Sequence, residues 1–267
     1  MVVALRSHWP EYLMEAAGLG IFMISACLVT AALEHPASPA HQVIADPVAR
    51  RILIGMAMGL TAIGIIYSPW GKQSGAHLNP SVTWAFFRLG KVQPWDALFY
   101  TIAQFAGGLA GVLLAAAALG KSIADPSVNY AVTVPGPGGP TVAFLAEAAI
   151  SFGLMLAVLA VSNTHRLARF TGLFAGALVA TYISVEAPLS GMSMNPARTF
   201  ASALPAQLWT ALWVYFTAPL LGMLLAAEMY LRLRGAQGIF CAKLHHQNPR
   251  RCIFCLDRSV RENVNKQ

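Results

Sequence analysis

The sequence predicts an all-α membrane protein in which six transmembrane helices and two re-entrant half-helices form an inverted repeat. Three observations carry that prediction. Of the 267 residues, 57% are hydrophobic and 11% charged, with a mean hydropathy of +0.58, which is more apolar surface than a soluble core can hide. The apolar residues gather in six long stretches. A short polar turn occurs twice, as Ser74-Gly75-Ala76-His77-Leu78-Asn79-Pro80-Ser81 and as Ser190-Gly191-Met192-Ser193-Met194-Asn195-Pro196-Ala197, with Ser, Gly, Asn and Pro in the same register.

Residues 12–33, 52–68, 94–120, 142–162, 169–185 and 207–231 each approach the roughly 17 to 25 residues that a spanning helix needs. Three fall in each half. The two Asn-Pro turns lie between the second and third stretch of each half, followed by apolar runs too short to span, 81–87 and 197–204. In both turns Asn is placed as a helix cap and Pro as the first helical residue. An odd number of spans per half gives the halves opposite orientation, so the two short helices enter from opposite faces. The repeat extends further: Glu15-Ala16-Ala17 answers Glu147-Ala148-Ala149, and Tyr100, Gln104 and Gly107 are spaced like Tyr215, Pro219 and Gly222. The segments 34–47 and 121–140, rich in Pro, Gly, Ser and Asp, read as external loops.

Charge fixes the orientation. With both termini cytoplasmic, Arg6, Lys72, Arg88, Lys91, Arg166, Arg169, Arg232 and Arg234 lie inside, against Arg50, Arg51 and Lys121 outside. The net charge of +7 is thus accounted for by membrane loops and the tail, and no interleaving of aromatic and basic residues points to nucleic acid. Four cysteines, one of them in an apolar stretch, do not make a secreted disulfide scaffold. No cleavage site closes a short apolar core near the N-terminus, so the first stretch is expected to remain as a span.

Two half-helices whose N-termini meet near the midplane place a positive potential where a cation or proton would pass, and spare neutral solutes. Asn79 and Asn195 can cap their helices and turn amide N–H groups toward the pore. The carbonyls of Gly75, Ala76 and His77, and of Gly191, Met192 and Ser193, supply acceptors along an otherwise apolar wall. Non-helical backbone is tolerated at that depth because it lines water. Arg198, one turn beyond Asn195, is a costly charge within the membrane and reads as functional.

Through Ser74-Gly75-Ala76-His77-Leu78-Asn79-Pro80 and Gly191-Met192-Ser193-Met194-Asn195-Pro196-Ala197-Arg198, the chain resembles the aquaporin, or major intrinsic protein, family over about residues 8–234. The first motif departs in having Ser81 where the family usually has Ala. The resemblance implies a passive channel for water and small neutral solutes such as glycerol, hydrogen peroxide or neutral metalloid hydroxides. It implies a homotetramer in the cell membrane, with no cofactor for transport and no catalytic residue. It makes Arg198 the fixed cation of an outer constriction shared with Ile183, Met192 and either Met58 or Gly59. Ile183 stands where strict water channels of the family have His, whereas Thr199, Ala203, Tyr215 and Phe216 resemble the water-channel branch.

Glu15 and Glu147 are single carboxylates in spanning stretches. Loop support, each accepting hydrogen bonds from a re-entrant turn, fits the resemblance; a proton relay in a coupled transporter is the alternative. Beyond the channel domain, residues 1–234, a basic tail of residues 235–267 carries Cys241, His245, His246, Cys252 and Cys255. A C-x-x-C pair with a third thiolate and one His, by C-x3-H or C-x4-H spacing, suits tetrahedral zinc. A redox pair, or a membrane thiol or metal enzyme built on the same residues, is the competing reading.

Overall fold

The computed structural model describes residues 1–255; the remainder of the predicted tail, 256–267, lies outside the described residues. It is all helical, with no strand among the described residues. Six helices are long and apolar enough to span: α1 (Val2–Glu34), α3 (Pro47–Tyr67), α6 (Pro94–Leu119), α7 (Gly139–Ser162), α8 (Thr171–Ser190) and α10 (Leu212–Arg234). Between them lie the short α2 (Pro39–Val43) and α4 (Pro69–Ser74) and the half-helices α5 (Pro80–Arg88) and α9 (Pro196–Ala206).

The ends follow local chemistry. Asp46 accepts from the Val48 amide at the start of α3, with Pro at its first position. Gly75 and Gly191 stop α4 and α8 in the left-handed conformation open to glycine. Four boundaries differ by five residues or more from the sequence expectation; α3 starts at Pro47 rather than at 52, and α8 runs on to Ser190 rather than ending at 185. α1 begins at Val2 rather than near Tyr12, and its early turns are tied to the bundle where His8 and Tyr12 both bond Asp96 of α6, at 2.8 and 2.6 Å. α10 begins at Leu212 rather than Gln207, because Gln207 takes a left-handed turn that ends α9.

The bundle is built from matching pairs. α1 packs on α6, α7 on α10, and α3 on α8 across the two halves, while each half-helix lies against the last span of the opposite half. Close approach is made by glycine at equivalent places. A Cβ on Gly107 would overlap the Ala16 carbonyl, and one on Gly222 the Ala148 carbonyl, so α1–α6 and α7–α10 cross with backbone against backbone. The outer surface carries large apolar side chains such as Leu60, Leu114, Leu145 and Leu225. Exposed tryptophans sit near the helix ends, Trp9, Trp70 and Trp95 on the side of the chain's N-terminus and Trp209 and Trp213 opposite, as in an interfacial aromatic belt.

Residues 239–255 do not hang free. Ile239, Cys241, Ala242, Leu244, Ile253 and Phe254 are buried in the same core as α5, α6 and α10, so the described part of the tail is continuous with the helical bundle.

Candidate pore

The two Asn-Pro turns meet back to back. The Asn79 amide donates to the Met194 carbonyl and the Asn195 amide to the Leu78 carbonyl, both at 2.7 Å. Their oxygens cap the half-helices: Asn79 Oδ1 accepts from Ser81 N at 2.8 Å, and Asn195 Oδ1 from Ala197 N and Arg198 N at 3.0 and 3.2 Å. One N–H of each amide therefore crosses to the opposite turn, instead of both facing the pore. Pro80 and Pro196 begin the helices, and both Ser81 and Ala197 are fully buried; the Ser81 hydroxyl has no partner among the described residues.

Both turns hold the same irregular backbone, with positive φ at Gly75, Ala76 and Leu78 in one and at Gly191, Met192 and Met194 in the other. Non-glycine residues in that region are strained and persist only when over-determined by their surroundings. The carboxylates do this. Glu15 accepts from Ser74 Oγ (2.7 Å), His77 N (3.0 Å), Leu78 N (2.6 Å) and Gln104 Nε2 (2.8 Å). Glu147 accepts from Ser190 Oγ (2.8 Å), Ser193 N (2.6 Å) and Met194 N (2.7 Å). Tyr100 and Tyr215, equivalent in the repeat, add hydroxyl bonds to the Ser74 and Ser190 carbonyls. With every carboxylate oxygen engaged by donors, this is the arrangement of two loop anchors rather than of a proton relay.

A cavity of about 450 Å³ runs past these turns, lined by Ala76, His77, Leu78, Asn79, Gly191, Met192, Ser193, Met194 and Asn195. Met58, Ile183, Met192 and Arg198 all line it. Gly59 does not: it faces α8, where a Cβ would overlap the Gly176 carbonyl. Gly75 is also absent from the lining, because its carbonyl accepts from the Leu244 amide of the tail at 3.1 Å. Arg198 Nη1 is buried without a partner among the described residues, a donor with capacity to spare.

Further contributors escaped the reading of the sequence. Arg51 lines the cavity and donates from Nε to the Ser184 carbonyl at 2.9 Å. A signal for it existed, since Arg51, Ile54, Met58, Ala62 and Ile66 all line the cavity at helical spacing, and that stripe separates Met58 from Gly59. Phe22 gave no signal. The segment 126–134, expected as a plain external loop, folds inward with Pro126, Asn129 and Val134 on the cavity wall, and Thr133 bonds Thr199 at 2.8 Å. Leu244 of the tail lines the other end.

In the tail, the Cys241, Cys252 and Cys255 sulfurs and a His246 ring nitrogen lie within 4.8 Å of one another, with Cys241–Cys252 at 3.4 Å and Cys241–Cys255 at 3.5 Å, too long for a disulfide. Zinc–sulfur bonds of about 2.3 Å in a tetrahedron need sulfurs about 3.8 Å apart, so the set fits with small adjustment. His245 is not part of it. It lies edge-on to Tyr67 at 5.1 Å, and burial together with the Lys72 charge lowers its pKa. Hydrogen bonds from the Cys241 and Cys255 thiols push the Cys252 pKa down and leave that of Cys241 raised.

Comparison with known proteins agrees with this architecture. The profile of the major intrinsic proteins matches residues 3–230. The aquaporin NIP6-1 of Arabidopsis thaliana is 40% identical over 67% of this chain and 57% of its own length. The aquaporin NIP2-3 of Zea mays is 33% identical over 84% of this chain and 73% of its own. The probable aquaporin AqpM of Archaeoglobus fulgidus is 37% identical over 66% of this chain and 74% of its own. The chain thus spans little more than half the length of the Arabidopsis relative. The crystal structure of the aquaglyceroporin from Plasmodium falciparum shares the fold, with a TM-score of 0.70 at 21% identity, over 84% of this chain and 96% of that one. From profile, relatives and paired turns together, the chain belongs to the major intrinsic protein family.

Proposed function

We propose that this protein is a passive transmembrane channel for water and small neutral solutes, and not an enzyme. The observation that carries the reading is the pair of cross-bonded Asn-Pro half-helix openings on one cavity that also receives Arg198, whose Nη1 has no partner among the described residues. Converging helix N-termini and a fixed cation disfavour ions and protons, while the Met192 and Ser193 backbone offers polar contact to a neutral oxygen. With Ile183 and Met58 as its apolar side, the filter accepts a solute with hydroxyls on one face and carbon on the other. Glycerol, hydrogen peroxide and neutral metalloid hydroxides fit that description.

The orientation that supports this work has both termini in the cytoplasm of a cell with its plasma or inner membrane as the site. Its support is that Lys72, Lys91, the Arg166–Arg169 region and the tail share one end of the bundle, the more basic one. Family membership supports a homotetramer with one pore per subunit. The Cys241, His246, Cys252 and Cys255 set supports one zinc ion per chain in the tail, outside the transport path's chemistry. Stopped-flow measurement of proteoliposomes, comparing water with glycerol and other small solutes, tests the channel reading. Rapid shrinkage in an impermeant osmolyte and solute-driven reswelling are expected; rates equal to protein-free liposomes for every compound would refute it.

A further inference from the structure

The tail and the first Asn-Pro turn are joined directly. The Leu244 amide occupies the Gly75 carbonyl, one of the acceptors the repeat provides for the pore, at 3.1 Å. The Leu244 side chain lines the cavity. The Ala242 carbonyl accepts from His77 Nε2 at 2.8 Å, and the His77 ring is sandwiched between Phe86 and Phe254 at centroid distances of 5.2 and 5.5 Å. The equivalent turn of the second half is covered by a different segment: at Gly191 the near neighbours are Thr133 and Val134 of the connecting loop. The asymmetry is thus in what covers each turn, the connecting loop on one and the tail on the other.

A set of candidate metal ligands flanks Ala242–Leu244. Cys241 immediately precedes the covering residues, His246 closely follows them, and Cys252 and Cys255 close the set beside Phe254. An ion bound by these four draws both ends of the cover together and fixes the Phe254 stack. Three thiolates and one zinc ion leave a charge of −1 by formal count, and Lys243, buried in the loop, supplies the opposite charge. Its ammonium donates to the Arg251 and Arg250 carbonyls at 2.6 and 3.4 Å, clamping the two ligand-bearing segments. Ligands so far apart in sequence, on a short segment with little other secondary structure, form a site whose geometry depends on the ion.

We propose that zinc bound by Cys241, His246, Cys252 and Cys255 locks residues 242–254 as a cap over the tail-side mouth of the pore, so that loss of the metal opens the channel. This rests on the channel and zinc readings above. The coupling runs from the ligands through Ala242 and Leu244 to His77 and Gly75, and requires only that the cap have a second, released position that the ion does not stabilise.

The test uses purified full-length protein and its variants in liposomes, with zinc measured by mass spectrometry and water permeability by stopped flow. Wild type is expected to carry one zinc per chain. Stripping it with a membrane-permeant chelator is expected to raise permeability about threefold or more, and adding zinc back to reverse the rise. Cys252→Ser with Cys255→Ser should lose zinc and be constitutively fast, whereas Leu244→Ala should keep zinc and still be faster than wild type. Because the double variant could fold poorly, chelation of wild type and Leu244→Ala each decide the matter without it. No zinc in wild type overturns the proposal at its metal. Full zinc with permeability unchanged by chelation, or lowered, overturns the cap while leaving channel and metal readings intact. Permeability at the level of empty liposomes in every state overturns the proposal together with the channel reading.

Discussion

Glu147 illustrates how one residue can be structural at a site that invites a catalytic or proton-carrying reading. Its carboxylate collects Ser190, Ser193 and Met194 donors that hold two left-handed residues in place. Glu147→Gln turns an amide N–H toward those donors. We expect it to destabilise the fold by about 3 kcal/mol, the scale of lost hydrogen bonds to a charged group, visible as a lower melting temperature in detergent. Flux should fall with it and remain indifferent to an imposed proton gradient; a variant that is stable but loses only gradient-dependent flux would restore the transporter alternative. At the filter, Ile183 and Arg198 line the same cavity. Ile183→His adds a polar group to the apolar side and should reduce glycerol flux more than water flux. Arg198→Ala should relax discrimination against larger solutes and cations. If Ile183→His leaves both fluxes as they were, the assignment of that wall is wrong.

At the scale of elements, the helix pairs depend on backbone contact at Gly107 and Gly222. Gly222→Val forces α7 and α10 apart and should cost about 1 to 3 kcal/mol, the range for overpacking. Gly64, with open space around it, provides the matched control, since Gly64→Ala should be tolerated or slightly stabilising in a helix. Equal melting temperatures for Gly222→Val and wild type would show that the crossing is looser than the carbonyl contact implies. The half-helices were expected to be held by their Asn caps, and each is. They are held also to one another, because the same amides bridge the two turns.

For the whole molecule, the connecting segment 121–140 and the tail lie at opposite ends of the bundle, so they must be accessible from opposite sides of the membrane. Lys121 is exposed, and a Lys121→Cys label should react with an impermeant reagent added to intact cells, in a background with Cys241, Cys252 and Cys255 unlabelled until lysis. Protection of position 121 with labelling of the tail thiols from outside would invert the orientation. The same opposition makes any metal effect one-sided: the proposed cap acts only from the tail side.

The sequence by itself determined the number of spans, the inverted repeat, the two Asn-Pro openings, the pairing of Glu15 with Glu147 in the repeat, and the Cys and His residues gathered in the tail. Hydrophobic length, motif register and ligand spacing are local properties, and each is written in a short run of residues. Only the tertiary structure decided which of Met58 and Gly59 faces the cavity, that Gly75 gives its carbonyl to Leu244, that His246 and not His245 joins the cysteines, and that residues 126–134 line the cavity. These outcomes depend on how surfaces distant in the chain meet. The stripe from Arg51 to Ile66 held part of the answer for α3, but the tail's path back to the first turn is set by burial of Ile239, Ala242 and Phe254 in a core that exists only once the helices have packed.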